Sequence, residues 1–353
     1  MVSSAQESTA RPVLAAKGGW GAYTQLSRQV RQAGLLERRR GWYATRIGVN
    51  LGLWAAGWVA FVVVGESWWQ LLVAAFLAVV CTQLAFVGHD AGHRQLFGSR
   101  RANDLVGLAH ANLLVGVSFD WWVDKHNAHH SNPNHEDLDP DISITALAFT
   151  PDQASSKHGL VRLVARYQGW LFFPLLLLEA AHLHLASAKA IWRGRDRGWA
   201  NTIQGLLLLT HTTAYLGAVL WVLSPAQALA FVVVHQGLFG LYLGCSFAPN
   251  HKGMPTLTEA DQLDFVRRQV LTSRNVRGSW LVDWLLGGLN YQIEHHLFPN
   301  MPRPNLRRAQ PLVRAFCAQH GLAYVEASLV GSYAQAVRHL HAVGAPLRSA
   351  VAD

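Results

Sequence analysis

The feature that most limits what this chain can fold into is the spacing of its histidines. His89 and His93 stand in HDAGH, His126, His129 and His130 in HNAHH, and His295 and His296 close the run that Gln292 opens in QIEHH. Separations of three and four residues stack side chains on one face of a helix. A lone HxxxH would say little, because helix-facing histidines often just satisfy a neighbour. Three such clusters put seven imidazoles on three faces, too many for a single ion, and two metal ions close together are the natural count. A purely structural explanation needs seven separate hydrogen-bond partners, with about 1–3 kcal/mol lost for each imidazole left unpaired.

Composition places these clusters beside a membrane. Apolar residues make up 51% of the 353 and charged residues 14%, against about 25% charged in ordinary soluble domains. Four stretches, residues 47–65, 68–88, 202–223 and 226–248, approach or reach the length a helix needs to cross a bilayer. Fourteen tryptophans suit the interface, where a ring with one polar N–H is at home. The net charge is 30 − 21 = +9, and its arginines cluster beside the apolar stretches, which points to a membrane surface and away from nucleic acid. Cys81, Cys245 and Cys317 form no CxxC pair, and no secretory signal is visible. Residues 1–18 read as a disordered tail.

Charge also predicts orientation. Arg28, Arg31, Arg38, Arg39, Arg40 and Arg46 precede the first stretch, and Arg193, Arg195 and Arg197 the third. The positive-inside rule makes both ends cytoplasmic, so the four spans form two hairpins whose returning arms end just before His89 and just before His251. The second and third clusters lie in polar segments on that side, so all can meet without crossing the bilayer. Residues 105–118 and 170–187 are too short or too polar to span comfortably and read as interfacial or re-entrant helices. Beyond Pro299, Pro302 and Pro304, residues 305–345 read as helix, a strand-like 322–325, and helix, forming a cytosolic cap. The predicted fold class is an all-α integral membrane protein with two helical hairpins, interfacial helices and this cap around a dimetal site.

Imidazole suits iron, copper and zinc alike. HExxH is absent, structural zinc sites usually recruit Cys, and seven or eight neutral nitrogens can hold two cations with positions left open for oxygen. A soluble di-iron bundle would use Glu and Glu-x-x-His ligands instead.

Over residues 45–325, HDAGH, HNAHHSNPNHEDLDPDI and NYQIEHHLFPNMPR resemble the three histidine boxes of the membrane fatty acid desaturases, and Gln292 at the head of the third box resembles the front-end and bacterial linoleoyl-CoA-desaturase-like members. The resemblance implies an oxygen-dependent acyl desaturase with two iron ions, acting on an acyl-CoA or acyl-lipid to leave a cis double bond. It implies a desaturase domain over 19–325, a C-terminal helix and tail over 326–353, and a bacterial plasma membrane. Front-end members often carry a fused cytochrome b5 with an HPGG motif. None occurs here, so electrons are expected from a separate donor such as ferredoxin and its reductase.

By the resemblance the ligands are His89, His93, His126, His129, His130, His295 and His296, with His251 at the end of the fourth span. Gln292, Asn250 and His184 are weaker candidates, either as ligands or as partners of ligands. A metal-bound histidine needs its other N–H fixed by an acceptor, and Asp90, Asp124, Glu136, Asp139 and Glu294 are acidic neighbours suited to it. His235 lies 16 residues before His251, roughly 24 Å along a continuous helix, too far to share the site. His211 reads as packing, His182 lies in the interfacial stretch, His110 ranks with His184, and in the loop that holds His135 the residues Asp137, Asp139 and Asp141 are better suited to orienting ligand histidines or capping helices than to binding iron. Phe119, Trp121 and Trp122 are candidate walls of an acyl tunnel. Lys125, Lys252, Arg267, Arg268 and Arg303 are candidates for a basic face meeting the acyl carrier or an acidic donor. Hydroxylation or ketolation of an alkane, carotenoid or sphingolipid is the rival outcome. A non-catalytic metal carrier would instead place polar ligands at the bilayer midplane.

Overall fold

The computed structural model describes residues 20–194 and 198–349. The expected N-terminal tail at 1–18, and Arg195 and Arg197 of the charge argument, lie outside the described residues. Helix α1 (Trp20–Gln32) precedes two long apolar helices, α2 (Arg40–Val64) and α3 (Gln70–Gly92). Helix α4 (Arg100–Gly107) runs directly into a π-helical segment, Leu108–Val115, and α5 (Phe119–Ser131) follows. Then come α6 (Pro151–Ser155), α7 (Gly159–Leu176), α8 (Glu179–Arg193) and a second long pair, α9 (Trp199–Val222) and α10 (Pro225–His251). The rest is α11 (Phe265–Leu271), α12 (Trp280–Leu285), α13 (Gln292–Leu297), α14 (Arg303–Gln319), α15 (Leu329–Val343) and α16 (Ala345–Ser349). Two short parallel strands, β1 (Asn275–Val276) and β2 (Glu326–Ala327), pair Asn275 with Glu326 and Val276 with Ala327.

Helices α2, α3, α9 and α10 are long and apolar enough to cross a membrane. Each contains most or all of one stretch expected from hydropathy, and each extends beyond it, because polar residues at a helix end lower hydropathy without breaking the backbone ladder. Thus α2 begins at Arg40 and α10 continues to His251. Gly65, in the left-handed region at φ 61°, ends α2. Pro225 opens α10 at the first turn, where its missing N–H leaves no bond unmade.

The contacts fix how these helices run. Asn50 bonds the Gln83 carbonyl and Gly57 meets Leu77, so α2 and α3 are antiparallel. Tyr215 meets His235 while Leu223 and Ala228 share a core, so α9 and α10 are antiparallel too. Cys81 contacts His235 and Gln83 bonds Tyr242, so α3 and α10 run side by side in the same direction. That parallel pair is the centre of the bundle: 61% and 44% of their most apolar windows are buried, against 17% and 6% for α2 and α9. Between helices in lipid the hydrophobic effect adds little, and close van der Waals packing on small residues does the work. A Cβ on Gly240 would lie 2.7 Å from the Ala180 nitrogen and 2.8 Å from the Leu176 carbonyl, so α10 touches the backbone of the α7–α8 junction.

The stretch 170–187, expected as interfacial or re-entrant, falls on two helices, α7 and α8, bent by 82°. Pro174 has no N–H to offer the turn before it, and Leu177 and Leu178 close the chain with tighter bonds to Pro174 and Leu175. The strand expected at 322–325 falls at Glu326–Ala327, because its partner Asn275–Val276 sets the register. A separate core of Leu26, Val30, Ile293, Met301, Val313 and their neighbours contains no residue of the four long helices.

Candidate metal centre

Because α3 and α10 are parallel, their C-terminal ends lie together. The first delivers His89 and, one residue past its end, His93; the second delivers His251. Helix α5 brings His126, His129 and His130, and the wholly buried α13 brings His295 and His296. One ring nitrogen from each of His89, His93, His126 and His295 lies within 4.8 Å of the others, and the same holds for His129, His251 and His296. His130 Nε2 is 3.1 Å from His126 Nε2, joining the first nest, while its ring stacks on His296 of the second at 4.1 Å.

Hydrogen bonds set the tautomers. Nδ1 of His129 faces both oxygens of Asp139 at 3.0 Å, Nδ1 of His251 faces the Thr272 carbonyl at 3.0 Å, and Nδ1 of His296 faces Gln269 Oε1 at 2.8 Å. Gln269 is held that way round because its Nε2 donates to the His130 carbonyl at 2.9 Å. These oxygens only accept, so each Nδ1 carries a proton and, in the neutral ring, each Nε2 presents a lone pair. Those three lone pairs converge: Nε2 of His251 is 3.3 Å from that of His129 and 3.1 Å from that of His296. In the first nest His89 Nδ1 faces Asp90 Oδ1 at 3.1 Å, while Nε2 of His89, Nε2 of His93 and both nitrogens of His295 are buried without a partner. Buried acceptors aimed at one another are costly alone and fit a cation between them.

Burial, reinforced by the surrounding imidazoles, holds His126, His130, His295 and His296 well below the ordinary histidine range, so they stay neutral and ligand-competent. Burial pulls His129 down as well, but the carboxylates of Asp141 and Asp139 outweigh it and raise this one. Asp90 also receives Tyr43 Oη at 3.1 Å and Arg303 at 2.6 Å, tying the first box to the residues that follow the third. Glu294 turns away from both nests. It accepts from Asn275 and Tyr324 at 2.7 Å each, and burial pushes its carboxyl up to about 7.

A family model for fatty acid desaturases matches residues 66–328, about three quarters of the chain and every histidine of both nests. The chain belongs to the fatty acid desaturase family. It is 30% identical over 321 residues to the acyl-lipid (9-3)-desaturase of Physcomitrium patens, an alignment covering 88% of this chain and 60% of that protein. It is 31% identical over 294 residues to the Delta(6)-fatty-acid desaturase fat-3 of Caenorhabditis elegans, covering 77% and 64%. It is 30% identical over 334 residues to fatty acid desaturase 3 of Bos taurus, covering 91% and 72%. The chain thus spans less than two thirds of the length of the first two relatives.

In this desaturase-family chain all eight histidines singled out as ligands meet. Gln292 lies beside them, its Nε2 2.8 Å from His251 Nε2, with its Oε1 taken by Asn250. Asn250 bonds Gln292 and the Leu289 carbonyl and belongs to neither nest. Of the acidic neighbours, Asp90 and Asp139 accept from histidines of the nests. Asp124 is exposed and bonds none, and Glu136 accepts from Thr150. His184 is spent on the Gly116 carbonyl and Gln236, His211 on the Leu113 carbonyl, and His235 on Tyr215 and Cys81, all outside the nests. Trp122 stacks on His126 at 4.4 Å and meets His89 at 5.5 Å, whereas Trp121 lines an outer cavity of about 500 Å³ and Phe119 is buried against Gly107. Arg303, expected on a basic outer face, is 6% exposed and bound to Asp90 and the Phe86 carbonyl. Gln269, Thr272, Asn275 and Tyr324 carried no signal in the sequence, being ordinary polar residues outside any recurrent spacing.

Proposed function

We propose that this chain is an oxygen-dependent fatty acyl desaturase whose two histidine nests hold a pair of iron ions. His89, His93, His126, His130 and His295 take one ion and His129, His251 and His296 the other. The observation that carries this reading is the convergence of the Nε2 atoms of His129, His251 and His296, whose Nδ1 atoms are each tied to an acceptor, beside a first nest of buried imidazole nitrogens that lack partners. Bound there, a di-iron centre supplies the redox chemistry by which a –CH2–CH2– unit, O2, two electrons and two protons become –CH=CH– and two waters.

The protein's share is geometry and exclusion. Asp90, Asp139, Thr272 and Gln269 each accept from a ring nitrogen, which fixes ring orientation and turns the other nitrogen towards the nests. Trp122 roofs His89 and His126 and, with the apolar residues of α3, α8 and α10, forms the dry wall along which an acyl chain would lie. The substrate is an acyl-CoA or acyl-lipid, as the names of the relatives suggest, and the electrons come from a separate donor. The arginines before α2 and α9 support a membrane orientation with the nests, and with both ends of the chain, on the cytoplasmic side. The two long-helix pairs then act as transmembrane hairpins, with the α1–α14 core as a cytosolic cap. Oxygen insertion into the same methylene is the competing outcome, and product analysis separates the two.

Expression in a host lacking the activity, followed by gas chromatography of its fatty acids, tests the reading. New double bonds that disappear in His129→Ala and His296→Ala, with both variants still inserted in the membrane, are the expected result. Undiminished double bonds in either variant, or hydroxylated products from the parent chain, would count against it.

A further inference from the structure

The last turn of α10, which carries His251, cannot hold itself together. Pro249 has no N–H, so the Cys245 carbonyl lacks its usual bond within the helix. The Tyr333 hydroxyl of α15 fills that gap, donating to the Cys245 carbonyl at 2.7 Å. The carbonyls at the helix end would also be orphaned. Arg274, 0% exposed, takes two of them: Nε donates to the Pro249 carbonyl at 3.0 Å and Nη2 to the Lys252 carbonyl at 2.9 Å. Its backbone N–H takes the Asn250 carbonyl at 2.8 Å, and Asn134 takes that of His251 at 3.0 Å. No carboxylate among the described residues pairs with Arg274. Its charge faces the negative end of α10 and is anchored from the far side by Gln335 Oε1 at 2.7 Å. The chain just past His251 packs closely on α15, since a Cβ on Gly253 would lie 3.2 Å from the Gln335 carbonyl.

We propose that Tyr333 and Arg274 form a latch by which α15 holds the proline-broken turn of α10 so that His251 Nε2 is presented to the second nest. The proposal rests on the assignment of His251 as a ligand. Neither latch residue touches a nest, so both are positioning residues. The turn is weakest where it must be most exact, and the missing bonds come from distant segments, Arg274 lying 23 residues beyond His251 (274 − 251) and Tyr333 82 residues beyond it (333 − 251).

Ferrous iron is titrated into full-length protein in detergent for Tyr333→Phe, Arg274→Lys and His251→Ala, with circular dichroism recording helix content. Tyr333→Phe and Arg274→Lys are expected to keep their helix content and to bind one of two irons about 10–100-fold more weakly, the usual cost of losing a residue that orients a ligand. Excess iron should restore the full count. His251→Ala should lose that iron at every concentration. A merely structural role would lower the unfolding temperature of metal-free protein and leave affinity unchanged. Wild-type affinity in both latch variants, with His251→Ala defective, overturns the latch alone. Wild-type iron binding by His251→Ala overturns the ligand assignment beneath it. Should Arg274→Lys fail to fold, Tyr333→Phe, which removes a single hydroxyl, decides.

Discussion

Arg303 and Asp90 meet at 2.6 Å with 6% and 2% of their side chains exposed, joining the start of α14 to the last turn of α3. Asp90 also holds His89, so this pair links the third histidine box to the orientation of the first. Removing one partner from a buried pair strands the other's charge, at about 3–5 kcal/mol. Arg303→Met should therefore lower the unfolding temperature sharply. The double variant Asp90→Asn with Arg303→Met should recover much of that loss, which thermal unfolding in detergent would check.

Gln269 spans both nests, accepting from His296 and donating to the carbonyl of His130. Gln269→Leu keeps the bulk and removes both bonds. Metal affinity should fall about 10–100-fold, read by competition with a chelator.

The neutral histidines predict how the metal-free protein responds to acid. His126, His130, His295 and His296 have folded-state values well below 6.5, so the unfolded chain binds protons that the folded chain refuses. Their contribution is intact above about pH 6.5 and is lost as pH falls below it, by up to about 1.4 kcal/mol per pH unit for each group. The raised His129 works in the opposite sense and offsets part of this. Unfolding temperatures of stripped protein between pH 8 and 5.5 should fall steeply on the acid side, and bound metal should shift the fall to lower pH.

Arg94 follows His93 with φ 56°, in the left-handed region where a side chain is strained. It is exposed and ends α3. Arg94→Gly should raise stability by about 0.5–1 kcal/mol in thermal unfolding.

Gly240→Ala should do the reverse. Its new methyl would press on backbone atoms of Leu176 and Ala180, which cannot swing aside. A loss of about 1–3 kcal/mol is expected.

Much of the centre was legible because its information is local. HxxxH and HxxHH state on their own which residues share a helix face, and flanking arginines suggest which helix ends lie together. The eight histidines did meet, and Asp139 was identified as an orienting residue from its place beside the second box. What stayed hidden is contact between distant segments. Arg303 looked like surface charge because nothing near it in the chain announces Asp90, 213 residues earlier (303 − 90). Asp124 looked like an orienting acid because it sits two residues from His126, yet helical geometry turns it outward to the exposed face. The bend after Pro174 follows from a missing N–H that hydropathy does not register, and the register of β2 depends on its distant partner β1.

The ligands of the two nests span 207 residues (296 − 89) and come from four separated stretches. All four long helices precede α13 in the chain, so neither nest is complete until α13 has been made. On the proposed ligand assignment, a chain truncated before residue 295 lacks a member of each nest and is expected to retain no metal pair.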